Sequence, residues 1–222
     1  MFGGVFNSET PFWQGVARIA DIVLLNLYFV LTAWPIVTAG ASLAALYDCS
    51  WRLQDDRGGG TTKMYFRSFA ANFGRATAIW AVVGPVGIAL GCAWIFLPIA
   101  ELTVIKTVLT LAYLLVLPYF FYLEVRFENT YGNTLKNALL IPLTRLPWAL
   151  GVLAVEVALI ALMVVTGMYQ PALLAPLLLG GVAMIVYATI PLLNRTIQPW
   201  LSTPPTDDAG DNDAATVATP TH

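Results

Sequence analysis

Residues 76–99 read ATAIWAVVGPVGIALGCAWIFLPI, without one charged side chain. Crossing about 30 Å of hydrocarbon at about 1.5 Å per residue takes about 20 apolar residues, so this stretch is long enough to be a membrane span. Working outward from it, similar stretches lie at about 19–37, 102–123, 147–168 and 172–193. The whole chain of 222 residues is 58% hydrophobic and 11% charged, with a mean hydropathy of +0.73. Average soluble domains are roughly 45–50% apolar and about 25% charged, so the surplus must face lipid. The sequence therefore predicts an all-α membrane protein with five transmembrane helices over residues 1–201. The Pro-, Asp-, Ala- and Thr-rich residues 202–222 are expected to form a disordered cytoplasmic tail.

Orientation follows from the basic residues. Arg52, Arg57, Lys63, Arg67 and Arg75 lie between spans one and two, Arg126, Lys136 and Arg145 between three and four, and Arg195 after the fifth. Only Arg18 and Lys106 map to the other side. The positive-inside rule then predicts a multi-pass protein of the cell (plasma) membrane, with its N-terminus out and C-terminus in. Trp13, Trp34, Trp80, Trp94, Trp148 and Trp200 fall near span ends, where an amphipathic ring prefers the headgroup level. Ala39-Gly40-Ala41 resembles a signal cleavage site, but no Lys or Arg precedes Arg18, so the first segment reads as a retained span.

The cytoplasmic connections carry their own pattern. Ser42 is placed to cap a helix to about Asp56, with Leu43, Leu46, Tyr47, Ser50 and Leu53 on one stripe and Asp48, Arg52 and Asp55 off it. A turn at Arg57-Gly58-Gly59-Gly60 stops it. A second helix starts near Thr62, sets Phe66, Phe69 and Phe73 beside Lys63, Arg67 and Arg75, and runs on into span two. Aromatics with basic flanks suit an anionic leaflet surface. The other connection repeats the plan, with a turn at Tyr131-Gly132-Asn133, Thr134 as N-cap, an apolar face of Leu135, Ala138, Leu139 and Leu143, and breaks at Pro142 and Pro147.

Composition also excludes whole classes of function. His222 is the only histidine, and Cys49 and Cys92 have no paired spacing, so imidazole catalysis, His- or Cys-ligated metal and redox pairs are not expected. Setting aside the tail acids Asp207, Asp208, Asp211 and Asp213 turns the net charge of −2 only slightly positive, which gives no nucleic-acid patch. With no nucleophile elbow, P-loop or HExxH either, the sequence predicts neither an enzyme nor a cofactor site.

Glu156 stands out among the intramembrane polar residues. It lies about nine residues past Pro147, roughly 13 Å into its helix, near the bilayer midplane. A carboxylate there must be protonated, paired or facing water, so it reads either as a proton or solute site or as interhelical glue. Arg18 and Asp21, three apart on one face, are placed to pair. With Asn26, Glu101 and Lys106 they form either an outward-facing polar site or an interfacial ion pair, a snorkelling lysine and an interhelical hydrogen bond. Gly87 and Gly91 form a GxxxG, suited to packing within the chain or to a homo-oligomer.

The stretches Ala20-Asp21-Ile22-Val23-Leu24-Leu25-Asn26-Leu27 and Trp34-Pro35-Ile36-Val37-Thr38-Ala39-Gly40-Ala41-Ser42 resemble the first span and exit turn of the YesL-like bacterial membrane family, a domain of unknown function. Tyr65-Phe66-Arg67-Ser68-Phe69 with Asn72-Phe73, and the motif from Arg126-Phe127-Glu128-Asn129-Thr130 to Leu146-Pro147, are similar to its other recurrent segments. The resemblance covers about residues 5–200. It implies no catalytic residue. Members are often encoded beside carbohydrate ABC importers and glycan-degrading enzymes, which implies a role in sugar uptake. Two functions therefore stand open. One is an accessory or assembly partner of such an importer, docking through the helices at 42–56 and 134–146 with Arg52, Lys63, Arg67, Arg75, Arg126, Lys136 and Arg145. The other is an autonomous or homo-oligomeric small-solute transporter or channel using Glu156.

Overall fold

The computed structural model describes residues 11–55, 60–127, 131–169 and 171–202, and the elements in them are helices. In chain order they are α1 (Pro11–Ala33), a 3-10 turn (Ile36–Thr38), α2 (Ala39–Gln54), α3 (Thr61–Phe96), a second 3-10 turn (Ala100–Leu102), α4 (Thr103–Arg126), α5 (Tyr131–Thr144), α6 (Leu146–Tyr169) and α7 (Pro171–Ser202). Five of them, α1, α3, α4, α6 and α7, are long and apolar enough to cross a membrane. The expected disordered tail falls at 203–222, outside the described residues, and α7 runs as far as Ser202.

Prolines set several boundaries. Pro35 disfavours helix at Trp34, so α1 stops at Ala33, short of the expected Val37, and Ile36 is left at a φ of +25°, a strained value for a β-branched residue. Pro98 pushes Leu97 out of the helical region to φ −119° and ends α3. Pro147 sits in the first turn of α6, where a missing N–H is harmless. Pro85, Pro118 and Pro142 lie inside α3, α4 and α5, each removing one ladder bond.

The helix from near Thr62 does run on into span two as one rod. At 36 residues, α3 is about 54 Å long, well beyond the hydrocarbon thickness. Its first turns lie beside α1: the Thr61 hydroxyl donates to Asp21 Oδ1 at 2.5 Å, Tyr28 and Thr62 hydroxyls meet at 2.7 Å, and so do those of Thr32 and Tyr65. Its second half pairs antiparallel with α4, with Tyr113 donating to the Val83 carbonyl at 3.4 Å and Trp94 Nε1 to Thr110 Oγ1 at 3.0 Å.

The sequence reading of α2 needs correction. It is no surface helix with one apolar stripe. Gly40, Ala41, Ser42, Ala44, Ala45, Leu46, Tyr47, Asp48, Cys49, Ser50 and Leu53 are all buried, and α2 packs against α1, α3, α4 and α7. Small side chains over 39–50 allow that approach from every side. Gly40 lies so close to Trp80 and the Ala76 carbonyl that a Cβ there would overlap both. Trp80 accordingly packs against Gly40, Gly84 and Phe121. Ser42 is no N-cap either, since its hydroxyl donates to Thr38 O (3.0 Å) and Thr32 Oγ1 (2.9 Å).

Burial in α3, α4 and α6 is concentrated toward one end of each helix. In α4 the buried residues are Lys106 and then Pro118 to Glu124; in α6 they are Ala149, Val152 and Glu156; in α3 none follows Gly84. α3 does not contact α6 or α7, and α1 does not contact α4 or α6, among the described residues. The hairpins α3–α4 and α6–α7 thus join through their packed ends around α2. Their far ends expose Val86, Ile88, Val104, Ile105, Val164 and Met168, as lipid-facing surface should.

The two cysteines report this division. Cys49 is fully buried in α2 and burial pushes its thiol well above the usual range, whereas Cys92 is exposed on α3. A membrane-permeable maleimide at pH 7 to 9 should leave Cys49 unlabelled in the folded protein and label it only after denaturation. Peptide mapping of labelled sites checks this, since the reactive thiolate of Cys49 is disfavoured and shielded throughout that range.

Candidate functional site

The sequence-predicted polar residues do not converge. Asp21 accepts from Thr61 and, with Arg18, Gln14, Leu53 and Gly60, lines a groove of about 530 Å³ where α1 meets the start of α3. Asn26, 3% exposed, accepts at Oδ1 from the Ala183 amide of α7 at 3.2 Å, an interhelical tie. Lys106 is buried, lies 4.8 Å from the Trp94 ring centroid, and donates to the Leu97 carbonyl at 2.6 Å, so its cation sits on the C-terminal end of α3. Glu101 is exposed in the second 3-10 turn. Asp21, Asn26 and Lys106 thus make separate contacts, with the start of α3, with α7 and with the end of α3.

Glu156 occupies a different place, among the packed ends. It is 6% exposed, and its Oε2 is buried without a hydrogen-bond partner among the described residues. The hydroxyls within its electrostatic reach are Tyr47 of α2 and Tyr119 of α4, and Tyr119 donates to Thr196 Oγ1 of α7 at 3.2 Å. Burial, and then the Glu156 carboxyl, push the Tyr47 hydroxyl well above its ordinary range, so it stays a neutral donor. Glu156 thus lies within Coulombic reach of hydroxyls from α2 and α4, near the bond that ties α4 to α7. No group of His, Cys, Asp and Glu able to hold a metal occurs among the described residues.

A second buried carboxylate escaped the sequence reading. Glu124, near the end of α4, has a side chain 1% exposed and pairs with Arg75 of α3 through a short Nε–Oε1 contact and a 3.4 Å Nη2–Oε2 contact. Thr134 of α5 donates to the same Oε2 at 3.4 Å. One acid at the end of the run Tyr119-Phe120-Phe121-Tyr122-Leu123, and a lone Arg75 beginning another apolar run, were the available signal. The pairing itself needed the fold.

These contacts divide the seven candidate docking cations. Arg75 is held by Glu124, Arg52 binds Asp48 at 2.8 Å, and the Arg126 guanidinium stacks 3.8 Å over Trp51. Arg145 is half-buried. Lys63, Arg67 and Lys136 are exposed.

On α5 the apolar face also differs from expectation. Tyr131, Gly132 and Asn133 form its first turn and not a preceding loop, so Thr134 is a buried helical residue instead of the N-cap. Ala138, Ile141 and Pro142 face the core, while Leu139, Leu140 and Leu143 are 47%, 58% and 59% exposed. Thr134 meets Glu124 on the inner side, so helical periodicity carries 139, 140 and 143 outward.

Fold and centre together define a helical membrane protein built around a buried connecting helix. Residues 22–96 match the sequence model of a family described as a protein of unknown function, DUF624, consistent with the YesL-like resemblance. That match runs from α1 to the last residue of α3 and so takes in α2, while the motif at 126–147 lies outside it. No curated protein and no solved structure matches the chain.

Proposed function

We propose that the protein is a non-enzymatic multi-pass accessory subunit of the plasma membrane that docks onto a carbohydrate ABC importer through α5, with N-terminus out and C-terminus in. The observation that carries this reading is the outward row Leu139, Leu140 and Leu143 beside the exposed Lys136. At 14 residues, or about 21 Å, α5 is too short to span, so lipid crossing does not account for that face. The gene neighbourhoods implied by the family resemblance supply the class of partner. With α2 buried, the docking role expected of 42–56 passes to α5.

A second reading is favoured by one feature, the buried carboxyl of Glu156, whose Oε2 has no hydrogen-bond partner among the described residues, within Coulombic reach of Tyr47 and Tyr119. In it the protein, alone or as a homo-oligomer, moves a small solute or proton through that centre.

The test is gentle-detergent purification of the tagged protein from its host grown on a complex glycan, with mass spectrometry of bound proteins. Docking predicts near-stoichiometric permease, at least a tenfold loss with Leu139→Glu plus Leu143→Glu, and no change with Glu156→Gln. Recovery of the protein alone, with solute uptake abolished by Glu156→Gln, replaces the first reading with the second.

A further inference from the structure

The first four turns of α3 present two unlike sides. Tyr65 and Ser68 are buried against the rest of the protein, whereas Lys63, Phe66, Arg67, Ala70 and Phe73 are exposed. Their spacing of three, four, seven and ten residues from Lys63 places them on one face of the helix. Phe66 and Phe73 are 45% and 42% exposed, and flexible collapse does not hide them. They belong to a ladder of rings, with centroids 5.3 Å apart for Tyr28–Phe66, 5.6 Å for Tyr65–Phe66, 6.5 Å for Tyr65–Phe69 and 5.5 Å for Phe69–Phe73. The ladder is anchored at Tyr65, whose hydroxyl bonds Thr32 of α1.

Charge on this face is one-signed. No Asp or Glu occurs from Thr61 to Phe96, and neither Lys63 nor Arg67 makes an ion pair among the described residues. Arg75 is already neutralised by Glu124. At 36 residues α3 exceeds the about 20 that cross hydrocarbon, so with the uncharged stretch from Ala76 to Phe96 as the crossing part, residues 61–75 lie on its headgroup side.

From this juxtaposition of two unpaired cations with two fixed, exposed aromatic rings, we propose that the α3 face from Lys63 to Phe73 binds anionic phospholipid headgroups. The cations and Phe66 meet the headgroups, and Phe73, nearest the apolar stretch, enters the boundary between headgroup and acyl chain. This surface is separate from α5 and does not depend on the importer reading.

The experiment uses the full chain in nanodiscs of phosphatidylcholine with or without phosphatidylglycerol, and native mass spectrometry of the lipids retained on release. The wild type should retain phosphatidylglycerol in preference to phosphatidylcholine, and less of it as salt rises. Lys63→Gln with Arg67→Gln should weaken that retention about 30-fold, from about fivefold per basic residue near a charged surface. Lys136→Gln, on α5, should leave it unchanged. Both substituted side chains are exposed, so the thermal unfolding midpoint in pure phosphatidylcholine should match the wild type, and that match certifies the variant as folded. Equal retention of the two lipids by the wild type overturns the proposal, as does undiminished phosphatidylglycerol on the folded double variant. Loss of a co-purifying acidic protein from that variant, with lipid retention intact, overturns it in favour of a protein partner.

Discussion

Arg75→Ala should destabilise the protein by about 3–5 kcal/mol, the cost of leaving a buried carboxylate without its counter-charge. The asymmetry of the pair sets the direction. The Glu124 side chain is 1% exposed while that of Arg75 is 38% exposed, so the arginine recovers hydration when its partner is lost and the glutamate does not. Glu124→Ala should therefore cost less than Arg75→Ala. Thr134 gives Glu124 one weak donor at 3.4 Å, too little to replace a guanidinium. Combining Arg75→Met with Glu124→Leu should restore most of the loss, because neither charge then has to leave water. Thermal unfolding of the three purified variants in one detergent checks this. If Arg75→Ala unfolds with the wild type, the pair holds nothing together.

Gly40→Leu should destabilise the protein by about 3 kcal/mol or more, with little monodisperse protein recovered. A Cβ at position 40 would overlap the Trp80 Cβ and the Ala76 carbonyl, which are a stem and a backbone with no rotamer to yield. The whole of α2 would have to move away from α3. Because α2 also touches α1, α4 and α7, that movement would open the packed end of the bundle. Gly91→Leu is the matched control: nothing lies within 4 Å of a Cβ there, so its unfolding midpoint should stay near the wild type. Size-exclusion chromatography and thermal unfolding distinguish the two. The GxxxG of α3 is itself divided, since Gly87 packs against Tyr113 while nothing lies within 4 Å of a Cβ at Gly91.

How far each element was legible depended on which interaction places it. The five long helices follow from apolar length, and the lengthening of the second into one rod from Thr61 followed from unbroken helical residues before Ala76. The matched stretch at 22–96 contains motifs visible without structure. Glu156 was legible as a lone acid within a span because no charged neighbour surrounds it in sequence, and the fold leaves it 6% exposed. Its company, Tyr47 and Tyr119, was not, since one comes from a connecting helix and the other from α4.

The role of α2 illustrates why the rest was hidden. Its pattern of Leu43, Leu46, Tyr47 and Leu53 with Asp48 and Arg52 between them reads as amphipathic, and only the run of Gly, Ala, Ser and Cys around them hints at contact on all sides. The polar Asp48 is tolerated inside because Arg52, one turn on, reaches it from the surface. On α5 the same periodicity permits either of two faces to turn inward, and the bond from Thr134 to Glu124 selects one. Sequence by itself thus determined the membrane class, the number of long helices and their breaks, because hydrophobic length and proline geometry act within one segment. Only the tertiary structure decided which helix is central, which cations are already paired and which faces remain open, because those depend on contacts between residues tens of positions apart in the chain.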